Sequence, residues 1–282
     1  MYLQAKKMCG MAFLVACVLA ACSEGRRQMA VLTGLEANDS VAGTLSDSMT
    51  VVQGEEQMPM GADELFDDFF FNYASNNRLQ QERTIFPLSV TTDGNTKRIE
   101  RKQWKNEPFF MNQDYYTLIF DSYPQMDLVH DTAVADATVE RFNLDNDRVE
   151  QFLFSRRSGR WMLHEVKRLP LQHNVNAQFL KFYQQFVTDT LFQHASLAQQ
   201  IIFSGPDPDD DFSTIEGMIT PDFWDAFCPE LPQHVLYNIV YGQQSPTSTH
   251  KILLLRGIAN GLEVEMTFHL RKGHWILTKL IT

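Results

Sequence analysis

The stretch FSRRSGRWMLHEV, residues 154–166, decides the fold because its pattern returns as FHLRKGHWILTKL at residues 268–280. In each copy, alternating apolar residues run into a short turn with a glycine and continue beyond it. This arrangement is typical of a β-hairpin. Five residue pairs repeat 114 positions apart without a gap: Asn146 and Asn260, Phe154 and Phe268, Gly159 and Gly273, Trp161 and Trp275, Leu163 and Leu277. The repeat predicts that one module occurs twice in the chain.

An aromatic-rich segment precedes each copy of the hairpin. In GADELFDDFFFNYASNN, residues 61–77, apolar residues recur at steps of three and four, which predicts an amphipathic helix with Asp67, Asp68 and Asn72 facing away from the core. NAQFLKFYQQFVTDTLFQH, residues 176–194, has the same pattern, and we align the two segments with an offset of 117. Two strand signals, IF at residues 85–86 and IF at residues 202–203, share that offset. A chance similarity of two hairpins does not explain why helix, strand and hairpin recur in one order.

A helix followed by strands that end in an antiparallel meander predicts an α+β fold. The terminal motif F-x-x-R-x-G-x-W-x-L in this order resembles the cystatin-like, or nuclear transport factor 2-like, superfamily. The resemblance implies two tandem domains, residues 61–170 and 173–282, each with a long N-terminal helix packed on a curved antiparallel sheet. The whole arrangement also resembles a family of uncharacterised bacterial lipoproteins. In the superfamily, the cone between helix and sheet is a ligand pocket, an active site or a filled core.

The N-terminus carries the pattern of an export signal. Lys6 and Lys7 precede an apolar run, MCGMAFLVACVL, that is too short to cross a bilayer as a stable helix. LAAC, residues 19–22, resembles the lipobox of bacterial lipoproteins, which implies lipid attachment at Cys22 after removal of residues 1–21. The alternative is an ordinary secretory signal with an incidental cysteine. Residues 22–60, rich in small and polar residues, are then a flexible tether from the cell envelope, with the outer membrane favoured over the inner.

Composition and motifs exclude several function classes. A net charge of −11 argues against nucleic-acid binding, which needs a cationic surface. The sequence has no phosphate-binding loop, no dinucleotide fingerprint and no spacing of histidines suited to a metal, so we expect no cofactor, no metal and no catalytic motif. PDPDDDF, residues 206–212, has the first acids of a calcium loop, but Phe212 stands where glycine is required and Met218 where glutamate is expected.

Candidate binding residues come from comparing the two halves. In the second half, Val264, Met266, Phe268 and Leu270 alternate with polar residues, as a closed core requires. The equivalent series in the first half begins with Glu150 and ends with Arg156, and buried charges are costly unless they are paired or face water. One hypothesis is a polar pocket lined by both residues. The alternative is that both lie at strand ends and extend into solvent.

Aromatic residues form a second candidate set: Trp104, Tyr115 and Tyr116 in the first half, and Trp224, Tyr237 and Tyr241 in a comparable stretch of the second. They either line a site for a glycan or apolar ligand or pack in the core. The predicted function is a lipid-anchored binding or scaffold protein, without catalysis, that recognises a small molecule, a glycan or a partner protein. The alternative is an acid–base enzyme of the isomerase, dehydratase or hydrolase type in the first cone, with Glu150 or Asp114 facing Arg156. The oligomeric state stays open.

The lipid anchor can be tested by replacing the cysteine of the lipobox. Cys22→Ala removes the thiol that takes the lipid, so the protein should move from the membrane pellet to the soluble fraction after cell fractionation. Cys228→Ala is the matched control and should leave the distribution unchanged. Full membrane retention of Cys22→Ala would contradict the lipobox assignment.

Overall fold

Two sets of aromatic side chains, one on each amphipathic segment, organise the helices and strands of this chain. The computed structural model describes residues 63–207, 210–242, 247–258 and 260–282. The fold in these residues is α+β, with most of the regular structure in strands. The helices are α1 Phe66–Ser75, α2 Asn77–Glu82, α3 Tyr123–Met126, α4 Ala177–Thr188, α5 Thr190–Ala195 and α6 Trp224–Phe227. The strands are β1 Thr84–Thr92, β2 Asn95–Ile99, β3 Tyr115–Phe120, β4 Asp136–Asn143, β5 Arg148–Arg157, β6 Arg160–Pro170, β7 Leu197–Asp207, β8 Asp210–Ile219, β9 Val235–Tyr241, β10 His250–Gly257, β11 Glu263–Arg271 and β12 His274–Ile281.

The strands form two six-stranded sheets with one common order. The first sheet runs β2-β1-β6-β5-β4-β9 and the second runs β8-β7-β12-β11-β10-β3. Pairing is antiparallel except between β1 and β6 and between β7 and β12. Each sheet takes its last strand from the other half of the sequence, since β9 pairs with β4 and β3 pairs with β10. The two halves are therefore joined by a reciprocal exchange of one strand.

The register of the parallel pairs corrects the alignment of the two halves. The Leu163 amide donates to the Arg83 carbonyl at 2.8 Å, and the equivalent Leu277 amide donates to the Ser196 carbonyl at 2.8 Å. Arg83 and Ser196 are 113 positions apart, so the expected offset of 117 for the helix and first strand is wrong. The error equals four residues, about one helical turn. When two helices both have aromatic residues at steps of three and four, their sequences align almost as well after a shift of one turn.

Phe154 is the centre of the first aromatic core. Its ring centroid lies 5.3 Å from that of Phe66, 5.9 Å from Phe69, 5.7 Å from Phe70 and 5.2 Å from Tyr73, all on α1. Three of these contacts are edge-to-face at 64° or more and the Tyr73 contact is at 90°, the geometry that aromatic quadrupoles favour. The helix is thus fixed on the sheet by ring packing.

The second half repeats this core around Phe268. Its centroid lies 5.4 Å from Phe179, 5.6 Å from Phe182 and 5.5 Å from Phe186, all on α4. The series expected to face a closed core contains three buried residues, Val264, Met266 and Phe268, while Leu270 is half-buried at its edge. Each amphipathic helix therefore packs on a different sheet.

A buried polar network joins the two halves beside the exchanged strands. The Glu140 carboxylate on β4 is 1 % exposed and accepts hydrogen bonds from Gln151 (2.8 Å), Asn174 (2.6 Å) and Asn238 on β9 (2.9 Å). Burial raises the pKa of Glu140, and the amide donors oppose that rise. The repeat places Leu254 at the position of Glu140, so the carboxylate serves the junction between halves rather than the module itself.

Some expectations from the sequence lie outside the described residues. These are the signal segment 1–21, the lipid site Cys22 and the tether 22–60. Among the described residues, none of the helices has the length and apolar character needed to span a membrane. The bounds 61–170 and 173–282 stay a prediction, and the strand exchange crosses them.

The aromatic core predicts a large cost for removing its central ring. Phe154→Ala deletes the contacts to four α1 rings and should reduce the free energy of unfolding by about 3–5 kcal/mol, measured by urea denaturation. Phe223→Ala is the matched control, since that ring is 65 % exposed and its loss should change stability by less than about 0.5 kcal/mol. Equal effects of the two substitutions would contradict the assignment of Phe154 as the centre of the core.

Candidate functional site

A polar cleft of about 560 Å³ opens at the β4–β5 end of the first sheet. The hairpin between β4 and β5, the neighbouring strand β6, the exchanged strand β9 and a 3₁₀ turn at Phe109–Asn112 surround it. The volume lies within the range of small-molecule sites, roughly 300–1,000 Å³. Strand exchange builds this cleft, because Val235 and Tyr237 of β9 form part of a wall that otherwise comes from the first half.

Charged side chains line the cleft in a row set by strand register. Arg141 on β4, Glu150 on β5 and Arg168 on β6 are direct cross-strand neighbours. The Glu150 carboxylate contacts the Arg141 guanidinium and lies 2.6 Å from Arg168 Nε. Glu107 adds a second carboxylate to Arg141 at 3.2 Å. The side chains are 18–41 % exposed, so the network is paired yet open to a ligand.

Apolar side chains close the bottom of the cleft. Phe109, Val149 and Tyr237 line it and are at most 5 % exposed. Burial raises the pKa of Tyr237, and the charge of Arg141 with its hydrogen bond to the phenol opposes that rise. The tyrosine is therefore neutral at physiological pH and shares Arg141 with the two carboxylates.

The second half provides an internal comparison for these charges. The offset of 114 places Leu255 at the position of Arg141, Val264 at that of Glu150 and Leu262 at that of Arg148. Leu255 and Val264 are 1 % and 3 % exposed. The same module thus folds with apolar residues where the first half carries an ion-pair network. The fold does not require the charges of the cleft.

The two charged residues singled out from the sequence lie in different places. Glu150 lines the cleft, whereas Arg156 does not. The Arg156 guanidinium donates to the backbone carbonyls of Asp63, Glu64 and Thr132 and lies 5.2 Å from the Trp161 ring centroid. Arg156 therefore holds the segment that leads into α1. Its distance along β5 from Glu150 keeps the two side chains in separate networks.

Of the six aromatic candidates, Tyr237 lines the cleft and Tyr241 contacts Asp67 on α1, while the other four lie elsewhere. Tyr116 is 2 % exposed and its ring lies 4.9 Å from that of Phe110. Trp224 is fully buried, and its indole N–H donates to Gln193 at 3.0 Å. Trp104 is half-buried at the edge of the first aromatic core, and Tyr115 is half-buried at the start of β3. None of the four lines the cleft, and the two buried rings act in core packing.

Asp67 does not face away from the core as the helical pattern predicted. It is half-buried and accepts a hydrogen bond from the Tyr241 hydroxyl of the exchanged strand β9. Burial is the main cause that raises the pKa of Asp67 to about 7, while Arg256 opposes the rise. The sequence contained no signal for this contact because Tyr241 lies 174 positions away and reaches α1 through the strand exchange.

Sequence reasoning also missed Arg141, Arg148 and Arg168, the three arginines that line the cleft. For Arg141 the repeat did contain a signal, because the equivalent position of the second half is the apolar Leu255. Elsewhere, Cys228 is half-buried, and burial raises the pKa of its thiol to about 11, which disfavours the reactive thiolate. Among the described residues, no group of three or more His, Cys, Asp or Glu side chains is placed to hold a metal.

Helices packed on largely antiparallel sheets, with a polar cleft at one sheet end, define an α+β protein of the NTF2-like class. The chain belongs to the family described as "Domain of unknown function (DUF4348)", whose model matches residues 45–282. It is also similar to an NTF2-like protein of Bacteroides fragilis with a solved crystal structure. The two are 40 % identical, the match covers 80 % of this chain and 98 % of the other, and the TM-score is 0.73. No curated protein matches the chain.

Asp67 predicts a specific pH dependence of stability. An unfolded aspartate releases its proton near pH 4, whereas folded Asp67 keeps it up to about pH 7, so stability should fall as pH rises through that window. Asp67→Asn keeps an acceptor for Tyr241 without the charge. Its stability relative to wild type should therefore rise from pH 5 to pH 8, reaching on the order of 1–4 kcal/mol in urea denaturation.

A change on the same helix that removes no charge provides the control for this experiment. Asn72→Ala alters an exposed polar side chain of α1, and its stability difference from wild type should stay constant over the same pH range. A constant difference for Asp67→Asn as well would show that Asp67 is not the group responsible.

Proposed function

We propose that this protein is a lipid-anchored binding protein of the cell envelope, and that its ligand, a small molecule or glycan, occupies the cleft beside Glu150. The family carries no assigned function, and the similar solved structure is described only as an NTF2-like protein. The proposal therefore depends on the geometry of the cleft for the binding role and on the lipobox pattern for the address.

One observation carries the binding role. Arg141, Glu150 and Arg168 form a partly buried ion-pair network in the first half, whereas the second half has Leu255 and Val264 at the first two positions. Replacing a buried ion pair by well-packed apolar residues is often neutral or stabilising. The module does not need this charged network for folding. Recognition of a ligand is the simplest reason for its presence.

The anchor follows from Cys22 and its surroundings. In this proposal, residues 1–21 are removed, Cys22 carries the lipid, and residues 22–60 tether two tandem modules, residues 61–170 and 173–282, to the membrane. A flexible tether of this length has a root-mean-square span of roughly 35 Å. That span would hold the cleft clear of the lipid headgroups, where a dissolved ligand can reach it.

A scaffold role is favoured by a different surface. On β7, β8 and α6, apolar side chains line a shallow groove of about 300 Å³, and several are strongly exposed, including Met218 at 67 % and Phe223 at 65 %. Exposed apolar patches of this kind commonly mark contact surfaces. Recognition of a partner protein there is compatible with ligand binding in the cleft, because none of the residues that line the groove lines the cleft.

An acid–base enzyme is the second candidate function, and Asp67 is the observation that favours it. A carboxyl with a pKa of about 7 beside a tyrosine hydroxyl has the protonation behaviour of a general acid or base. Glu150 is less suited to that role because two arginines pair with its carboxylate. The side chain of Asp114, the other suggested acid, is exposed and does not line the cleft.

Blocking the cleft tests the proposed function. Thermal melts of the purified protein with a panel of glycans and small metabolites should identify compounds that raise the melting temperature by mass action. Gln113→Trp places a bulky ring at the cleft wall and should abolish that rise. Asn95→Trp, an exposed position on β2 outside the cleft, should preserve it.

Two outcomes would count against this assignment. A ligand-induced rise that persists in Gln113→Trp would place the binding site elsewhere. Recovery of the ligand in a chemically altered form by NMR, with conversion lost in Asp67→Asn, would favour the acid–base enzyme instead.

A further inference from the structure

We propose that the ligand of the cleft is a small monocarboxylate that also carries hydroxyl groups, as an acidic sugar does. This inference depends on the proposed function and adds the chemical class of the ligand.

The charged groups of the cleft present donors rather than a free carboxylate. Among the described residues, Glu150 is the acidic residue that lines it, and each of its carboxylate oxygens already accepts, one from Arg141 and one from Arg168. Arginine donates through five N–H groups and accepts none. A ligand that satisfies this site must therefore bring acceptors.

Arg168 has the free donors that a carboxylate needs. Its Nε lies 2.6 Å from Glu150, and within the described part of the chain its terminal nitrogens, Nη1 and Nη2, have no hydrogen-bond partner. The side chain is 41 % exposed and lines the cleft, so these donors are accessible from it. The two terminal nitrogens of a guanidinium match the two oxygens of a carboxylate.

Arg148 is a second cation that can turn to the ligand. It lines the cleft and pairs with Asp93 through two contacts of 3.0 and 3.1 Å. That pair is 34 % and 51 % exposed, and exposed ion pairs contribute little to stability. Exchange of the Asp93 carboxylate for a ligand carboxylate at Arg148 therefore costs little.

The overall charge of this region favours a single negative charge. Three arginines, Arg141, Arg148 and Arg168, are balanced by three carboxylates, Glu107, Glu150 and Asp93. A phosphate group carries a charge of about −1.5 to −2 at pH 7. In a region without net positive charge, every added negative charge on the ligand also meets the three carboxylates, so a monocarboxylate is repelled less than a phosphate.

Amides and rings supply the contacts for the rest of the ligand. Asn143 Oδ1 accepts from the Asp145 and Asn146 amides at 3.2 and 3.3 Å, which leaves its Nδ2 group as a donor for the cleft. Asn112 and Gln113 at the rim can each donate to and accept from hydroxyl groups. Phe109 and Tyr237 provide an apolar bottom. Carboxylate, hydroxyls and a compact ring together describe an acidic sugar.

Calorimetric titration with matched sugars tests the ligand class. The probes are glucuronate and galacturonate, the neutral sugars glucose and galactose, and inorganic phosphate, each titrated into the purified protein at one ionic strength. At least one acidic sugar should bind about tenfold or more tightly than its neutral counterpart, since the added contact is a charge-assisted pair. Arg168→Gln should weaken acid binding about tenfold and leave neutral-sugar binding unchanged. Arg98→Gln, an exposed position outside the cleft, should change neither.

The outcomes separate this inference from the proposed function. Equal binding of acidic and neutral sugars, both lost in Gln113→Trp, would overturn the carboxylate and leave the cleft as the binding site. Preference for phosphate, or acid binding unaffected by Arg168→Gln, would also overturn it. If none of the probes binds, the ligand class is wrong, and the panel of neutral glycans and metabolites with Gln113→Trp decides the proposed function separately. A ligand-free melting temperature of Arg168→Gln close to wild type shows that the variant is folded, because Arg141 still pairs with Glu150.

Discussion

Reciprocal pairing of β3 with β10 and of β9 with β4 is the constraint on which the structure depends. A strand edge with unpaired amides and carbonyls must be covered or paired, and each module completes its sheet with a strand from the other. The exchanged strands also contact each other, since the Ile119 amide donates to the Asn238 side chain at 2.8 Å and the Tyr237 amide donates to Thr117 Oγ1 at 3.1 Å. Each six-stranded sheet is therefore complete only when both halves are folded.

Strand exchange also explains why the cleft lies where it does. β9 brings Tyr237 to the cleft and Tyr241 to α1, so one strand of the second half contacts both Arg141 and Asp67 of the first. The buried Glu140 network ties the same strand to the connection between the halves through Asn174 and Asn238. These contacts hold Tyr237 within hydrogen-bond distance of Arg141 before a ligand binds. Preorganisation of this kind lowers the entropic cost of binding.

The sequence contained enough signal for the modules but not for their connection. Periodicity and the repeated Trp161 and Trp275 predicted the helices, the meanders and the α+β class, because these depend on local patterns of burial. The offset of 114 between the hairpins holds in the structure, whereas the helix offset was wrong by one turn because aromatic steps of three and four are degenerate. Strand exchange left no local trace, since β3 and β9 have apolar patterns that suit either sheet.

The same limit applies to the candidate site. Glu150 was found because it interrupts an apolar series at a position where the repeat has valine, a comparison within one chain. Arg168 could not be found that way, because its importance comes from lying beside Glu150 across β5 and β6, which only the register shows. Arg156 interrupts the series in the same manner, yet it binds backbone carbonyls near α1. An interrupted pattern locates a charge but does not identify its partner.

The two halves differ in opposite ways at equivalent places. The first has a charged cleft and a polar edge strand, β2, with Lys97 and Arg98 exposed, as edge strands that avoid pairing usually have. The second has apolar residues in place of the cleft charges and an edge strand, β8, with Ile215 and Met218 exposed. The two halves share one strand order and one kind of aromatic core, so the differences outside that core are free to serve function. In the function proposed above, the first half would bind a polar ligand and the second would make an apolar contact.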